Sequence, residues 1–254
     1  TALRDDTVGG DTDGTGPSAG VKGSWGAIQF RQGAAGTITH ARIRFGGCIA
    51  IFCSPGSGGV LFTDANPVES ATLSLADSII EENYGSGINW RGGSLTVLRS
   101  TIRNNNGSGA YAQGAFLPTV TDSVFENNGS HALWVSTTVP NAVFGPSGNT
   151  FTNNSQAAIL VRLSGGGTLD PVGNSGFSNA HGDGVELDGG VGLGQTLTFA
   201  SRNAATFPFI LADYTSPVEG TLNLQPGVVV KFDNKSSLQV VGVLNINGTA
   251  GEPV

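Results

Sequence analysis

DSIIEENYGSGINW (residues 77–90), STIRNNNGSGAY (100–111) and DSVFENNGSHALW (122–134) are three near-copies of one short phrase. Gly85, Gly107 and Gly129 stand 22 residues apart, twice in succession. A fourth copy, NTFTNNSQAAILV (149–161), follows at a slightly longer step, and a looser fifth, NSGFSNAHGDGVEL (174–187), comes after it. Upstream, GTITHARIRFGG (36–47) has the same alternating texture without the Asn pair. A fixed period in this range means stacked units, each burying its apolar face against its neighbours.

Within each unit, short alternating runs are separated by Asn and Gly. Alternation with period two argues strand, Asn/Gly clusters argue tight turns, and no window sustains a 3.6-residue apolar period. About 22 residues hold roughly three short strands and their turns, one coil of a parallel β-helix. The reading is therefore all-β: a right-handed, single-chain parallel β-helix of ~10 coils, about 50 Å long at ~4.8 Å per coil. Asn and Gly tolerate the left-handed backbone of a sharp corner. Asn at one corner of successive coils stacks its amides into a hydrogen-bonded ladder, expected to run through Asn83, Asn105, Asn127 and Asn153, with Asn106, Asn128 and Asn154 beside it. A polar hairpin turn is the competing reading of Asn-Asn-Gly, but hairpins do not demand a constant period.

Charged residues make up 12% of the 254, about half the usual share, and glycine contributes 40, which suits many strands and turns. The net charge of −7 comes with no basic stripe, so nucleic acid is not an expected partner. No run approaches the ~20 apolar residues of a membrane span. No basic segment followed by an apolar stretch opens the sequence, so any signal peptide is expected to be absent or already removed.

Residues 1–24 are rich in Asp and Gly and lack apolar periodicity, which makes them a loop. Asp5, Asp6, Asp11 and Asp13 place four carboxylates within nine residues. Hard cations want six to eight oxygens, so calcium is the expected ligand, with a solvated acidic turn as the alternative. An EF-hand starting at Asp11 fails, because its twelfth position is Lys22. Cys48 and Cys53 are too few for a four-ligand zinc site. They read as a local disulfide or as two buried thiols, within a loop expected over 47–67. Residues 25–194 form the central Asn-Gly coils, with a Gly-rich break over 188–194. Residues 195–254 are coils with different corners, the whole chain making one module.

Three segments carry a likeness. LQPGVVVKF (224–232) with LQVVGVLNINGTAGEPV (238–254), TALRDDTVGGDTDGTG (1–16) with GSWGAIQF (23–30), and the Asn-Asn-Gly coils together resemble the parallel β-helix repeat proteins of bacterial and archaeal cell surfaces, which share the pectate-lyase-like superfold. The first segment is similar to the family's opening coils, and the second to the insertion that normally follows them. Here the phrase that normally comes first ends the sequence and its usual successor begins it. The resemblance thus implies an extracellular or cell-surface structural solenoid, joined head to tail with copies of itself. It also implies an alternative, a polysaccharide-binding or polysaccharide-cleaving β-helix.

Enzymatic relatives of the superfold use clustered acids. The repeat acids Asp77, Asp122, Glu81 and Glu126 fall at equivalent corners and read as structure, and no catalytic residue is assigned. The nearest approach is His181 to Asp188, where Glu186 and Asp188 face the same side of a strand. Trp90, Tyr111 and Trp134 occupy similar places in the repeat. They form either an aromatic stripe for a glycan or core packing.

Overall fold

A computed structural model describes residues 5–7, 9–11, 13–47, 59–63, 71–200, 206–212 and 215–254. The expected disulfide between Cys48 and Cys53 lies outside the described residues. Among those described there is no helix, and so none long and apolar enough to cross a membrane. The strands are three to five residues long, and every pairing between them is parallel. Parallel neighbours cannot be joined by a tight hairpin. Here each connection is a further turn around a common axis, giving the expected right-handed parallel β-helix.

One sheet of nine strands runs the length of the solenoid, from Ile28–Phe30 to Val230–Phe232. Its inward positions succeed one another as Ile28, Leu61, Ile88, Ala110, Leu133, Ile159, Val185, Phe209 and Val230. Successive partners are 21 to 33 residues apart, and the 22-residue step belongs to the central coils. Nine strands at ~4.8 Å give a solenoid of about 40 Å, shorter than the ~10 coils and 50 Å read from sequence. A second sheet runs from Arg42–Arg44 to Ser175–Phe177, and a third from Ala35–Thr39 to Thr119–Thr121. In the later coils a five-stranded sheet from Ala142–Phe144 to Val243–Ile246 replaces the third. A two-stranded sheet, Thr215–Val218 with Ser237–Val240, joins it. This change of walls accounts for the different texture of residues 195–254. The loop expected over 47–67 is corrected in part: Gly59–Thr63 is a strand of the long sheet.

The core is a stack of apolar rungs. Leu73, Leu75, Ile80, Ile88, Ile102, Phe125, Phe151 and Phe199 are all essentially inaccessible. Phe125 stacks on Phe151 at 5.4 Å, and Phe199 on Phe209 at 4.1 Å.

Two corners flank the second sheet, and both follow one rule. From the second coil on, a residue in the left-handed region precedes a buried polar residue at each corner; in the first coil His40 and Phe45 precede Ala41 and Gly46 instead. The first corner uses His40, Asp77, Arg99 and Asp122 at φ between 44° and 51°, then Gly148 and Gly173. The second uses Phe45, Glu82, Asn104, Asn127, Asn153 and Ser178 at φ between 53° and 65°. Left-handed backbone costs an ordinary L-residue roughly 1–2 kcal/mol, and Asn less than most.

Candidate functional site

The amide ladder stands at the second corner, one residue away from where the glycine spacing puts it in two coils. Its members are Asn83, Asn105, Asn128, Asn154 and Asn179, all buried. Each Nδ2 donates to the next Oδ1, at 2.8, 3.0, 3.0 and 2.8 Å. Each Oδ1 also accepts the main-chain N–H of the preceding member. Asn127 and Asn153 are not rungs. They are the left-handed corner residues beside the rungs, because Phe125 and Phe151 align with Ile102 and set the register. The coil at 122–134 is one residue shorter between its rung and its glycine. At the far end the Asp183 carboxylate closes the ladder, accepting from Asn179 N at 2.9 Å and Asn179 Nδ2 at 2.7 Å.

The sequence reading missed a second ladder. At the first corner Ser78, Ser100, Ser123, Asn149 and Asn174 pass hydrogen bonds up the axis. Asn149 Nδ2 donates to Asn174 Oδ1 at 2.9 Å. The signal was present: rungs lie two residues before and three after the inward side chains Ile80, Ile102, Phe125 and Phe151.

Three of the repeat acids, Asp77, Glu81 and Glu126, make ion pairs with arginines. Buried Glu81 is bridged by Arg42 and by Arg103 Nε at 2.7 Å, and Arg103 also reaches Glu126 at 3.3 Å. Asp77 pairs with Arg99 at 2.7 Å. Burial works against the Glu81 charge. The hydrogen bonds and charges of Arg103 and Arg42 outweigh it and hold the carboxyl below its ordinary value of 4.5.

In the N-terminal loop, Asp6, Asp11 and Asp13 each bring one carboxylate oxygen within 4.8 Å of the others. Turn backbone holds them: Asp6 accepts from Ser18 N at 2.6 Å, Asp11 from Gly14 N at 2.7 Å, and Asp13 from Thr15 N at 3.1 Å. Asp5 is not with them. It is buried against Arg44 at 2.5 Å, a buried ion pair that fastens the loop to the first coil. Three carboxylates on a Gly-rich turn fit a hard cation's oxygen chemistry, with carbonyls and water left to complete the shell. The loop folds back along the solenoid's flank: Lys22 Nζ donates to Asn104 O at 2.5 Å and Asn106 Oδ1 at 2.7 Å.

On the outer face of the long sheet, the three aromatics separate. Trp90 is fully buried and pairs in register with Ala112, so it belongs to the core, 5.3 Å from Phe30. Tyr111 and Trp134 point outward as direct neighbours, edge to face at 4.8 Å. Beside Trp134 a groove of about 740 Å³ is lined by His131, Arg162, His181, Glu186 and Asp188. Glu186 and Asp188 share this face, as alternation predicts, and Arg162 holds Asp188 at 2.8 Å. Burial first, then the neighbouring His181, pushes His131 down to about 4, against the pull of Asp188.

Phe209, Leu211, Val218, Leu222 and Leu224 point inward and are at most 6% exposed. Their register partners in the last coil are Val230, Phe232, Val240, Leu244 and Ile246. Of these Phe232 is 53% exposed, Val240 43% and Ile246 56%. The inside of the last coil is open to solvent.

A family model described as a right-handed beta helix region matches residues 21–145. The match agrees with the pectate-lyase-like superfold, and the same coils continue beyond it to Val243–Ile246. No curated protein and no solved structure matches the chain.

Proposed function

We propose that this right-handed parallel β-helix is a structural module of an extracellular or cell-surface assembly, extended end to end by copies of itself. One observation carries the reading: parallel coils tied along the axis by two buried hydrogen-bonded ladders and by ion pairs make a continuous rod. The ladders and ion pairs stiffen the rod between its ends. Calcium at Asp6, Asp11 and Asp13 orders the loop that Asp5 and Lys22 fasten to the flank. Electron microscopy of the concentrated protein, with calcium and then with chelator, tests this. The reading expects fibres one solenoid wide. Fibres that persist in chelator keep the assembly and remove calcium from it, and isolated particles in both conditions refute it.

The groove beside Trp134 favours a second reading, a polysaccharide-binding or polysaccharide-cleaving face. An outward aromatic pair next to two carboxylates suits stacking on a sugar ring and hydrogen bonding to its hydroxyls. Oligosaccharide binding that disappears in Trp134→Ala supports it, and no binding across neutral and acidic glycans rejects it.

A further inference from the structure

Where the loop before the first coil meets the flank of the solenoid, an amine, a carboxamide and a carboxylate are gathered. Lys22 stands in a turn closed by Ser24, whose Oγ donates to Val21 O at 2.6 Å. Trp25 Nε1 donates to Arg44 O at 2.8 Å and holds the following residues against the first coil. From this turn Lys22 Nζ donates to Asn106 Oδ1, 84 positions away, at 2.7 Å, and to Asn104 O at 2.5 Å. Asn106 is also fixed: its N–H donates to Asn83 O at 3.0 Å, and the Gly107 N–H donates to Gly85 O at 3.0 Å. Glu82 and Asn104 are the left-handed corner residues of successive coils, which makes them axial neighbours ~4.8 Å apart. Lys22 is half-buried, and burial pushes its ammonium below the ordinary 10.5, against the pull of the Glu82 charge.

We propose that Lys22 and Asn106 become joined by an isopeptide bond, formed within the folded chain with Glu82 as the proton carrier. The Lys22 ammonium gives one proton to Glu82. The neutral Nζ attacks Asn106 Cγ, and the Cγ–Nδ2 bond breaks. The departing nitrogen takes the proton that Nζ sheds and the one that Glu82 holds, and leaves as ammonium. Burial favours the neutral amine, which is the nucleophilic form. Contact with Oδ1 sets Nζ beside the carbon it attacks, and the fixed main chain on both sides keeps it there. The competing nucleophile at an Asn-Gly pair, the glycine nitrogen, is committed to Gly85 O. The loop carrying Asp6, Asp11 and Asp13 is then held by the Asp5–Arg44 pair on one side and by a covalent bond on the other. As with a disulfide, a ring closed across 84 positions also restricts the unfolded chain.

Mass spectrometry of the chain, folded at neutral pH and then denatured, tests this. The bond predicts a wild type lighter than its sequence by one ammonia. It also predicts a branched tryptic peptide that joins residues 5–31 to 104–162 and is uncut at Lys22. Lys22→Arg keeps a cation and a donor without the nucleophile, and Asn106→Ala removes the carboxamide. Both should show the full sequence mass and a lower thermal midpoint. Glu82→Gln should slow bond formation about a hundredfold, and Glu82→Asp should restore it. A wild type at full mass and cut at Lys22 overturns the proposal. Ammonia loss that persists in Lys22→Arg without the branched peptide overturns it too, since it marks ring closure at Asn106 and Gly107 instead. Bond formation at the wild-type rate in Glu82→Gln overturns the part given to Glu82.

Discussion

Replacing Asn128 by alanine removes a rung from the middle of the amide ladder. The Asn128 side chain makes four hydrogen bonds. Its Oδ1 accepts from Asn105 N at 3.3 Å and Asn105 Nδ2 at 3.0 Å, and its Nδ2 donates to Asn154 Oδ1 at 3.0 Å and Ile102 O at 3.1 Å. Two of the groups left behind keep another partner: Asn105 Nδ2 still has Ile80 O, and Asn154 Oδ1 still has Asn128 N. The Asn105 N–H loses its ladder acceptor inside the solenoid. One orphaned buried donor costs about 1–3 kcal/mol, and each of the three other lost bonds about 0.5–1.5 kcal/mol, so Asn128→Ala should cost about 2.5–7.5 kcal/mol. Asn127→Ala is the control. Asn127 is exposed and its burden is a φ of 54°, where alanine is worse by about 1 kcal/mol. Guanidinium unfolding at matched m-values compares the two, and amide hydrogen exchange at Asn105 locates the loss. An Asn127→Ala cost equal to or above that of Asn128→Ala would refute the assignment of the rungs.

Three further outcomes follow. Asp183→Ala uncaps the ladder, leaving Asn179 N without its carboxylate, and should cost about 2–3 kcal/mol by thermal unfolding; an unchanged midpoint would mean that water caps the ladder equally well. Glu81 titrates below its ordinary 4.5, so its contribution is complete above that pH and is lost as pH falls through the folded value. Glu81→Gln should therefore be less stable than wild type at pH 7, with the gap closing below pH about 4.5; a gap independent of pH would contradict the ion pairs. His131 is held neutral from its ordinary 6.5 down to about 4, so unfolding takes up a proton across that window and stability declines by up to ~3 kcal/mol as pH falls through it. His131→Gln should remove most of that slope, and an identical pH profile would refute it.

The period of Gly85, Gly107 and Gly129 was enough to read the coil, because stacked units must repeat. It was not enough to read the register. Turns vary in length at little cost, whereas inward side chains must stack, so Ile80, Ile102, Phe125 and Phe151 fix the alignment and the glycines drift against it. Aligned on the glycines, the ladder lands on Asn127 and Asn153. Aligned on the core, it lands on Asn128 and Asn154. Trp90 and Tyr111 each close their copy of the phrase, but they stand five and four residues after Gly85 and Gly107, so the register neighbour of Trp90 is Ala112 and Trp90 faces the core. The Ser/Asn ladder escaped notice because Ser78, Ser100 and Ser123 look like ordinary strand-edge hydroxyls. Asp5 was grouped with the other loop acids by proximity in sequence, but its partner Arg44 is 39 positions away and unreadable without the fold.

The most direct test of the end-to-end account is the mass of the unmodified chain as its concentration rises. Sedimentation should show species growing past the 25.7 kDa monomer without a fixed upper size. A mass that stays at 25.7 kDa across the series would contradict it.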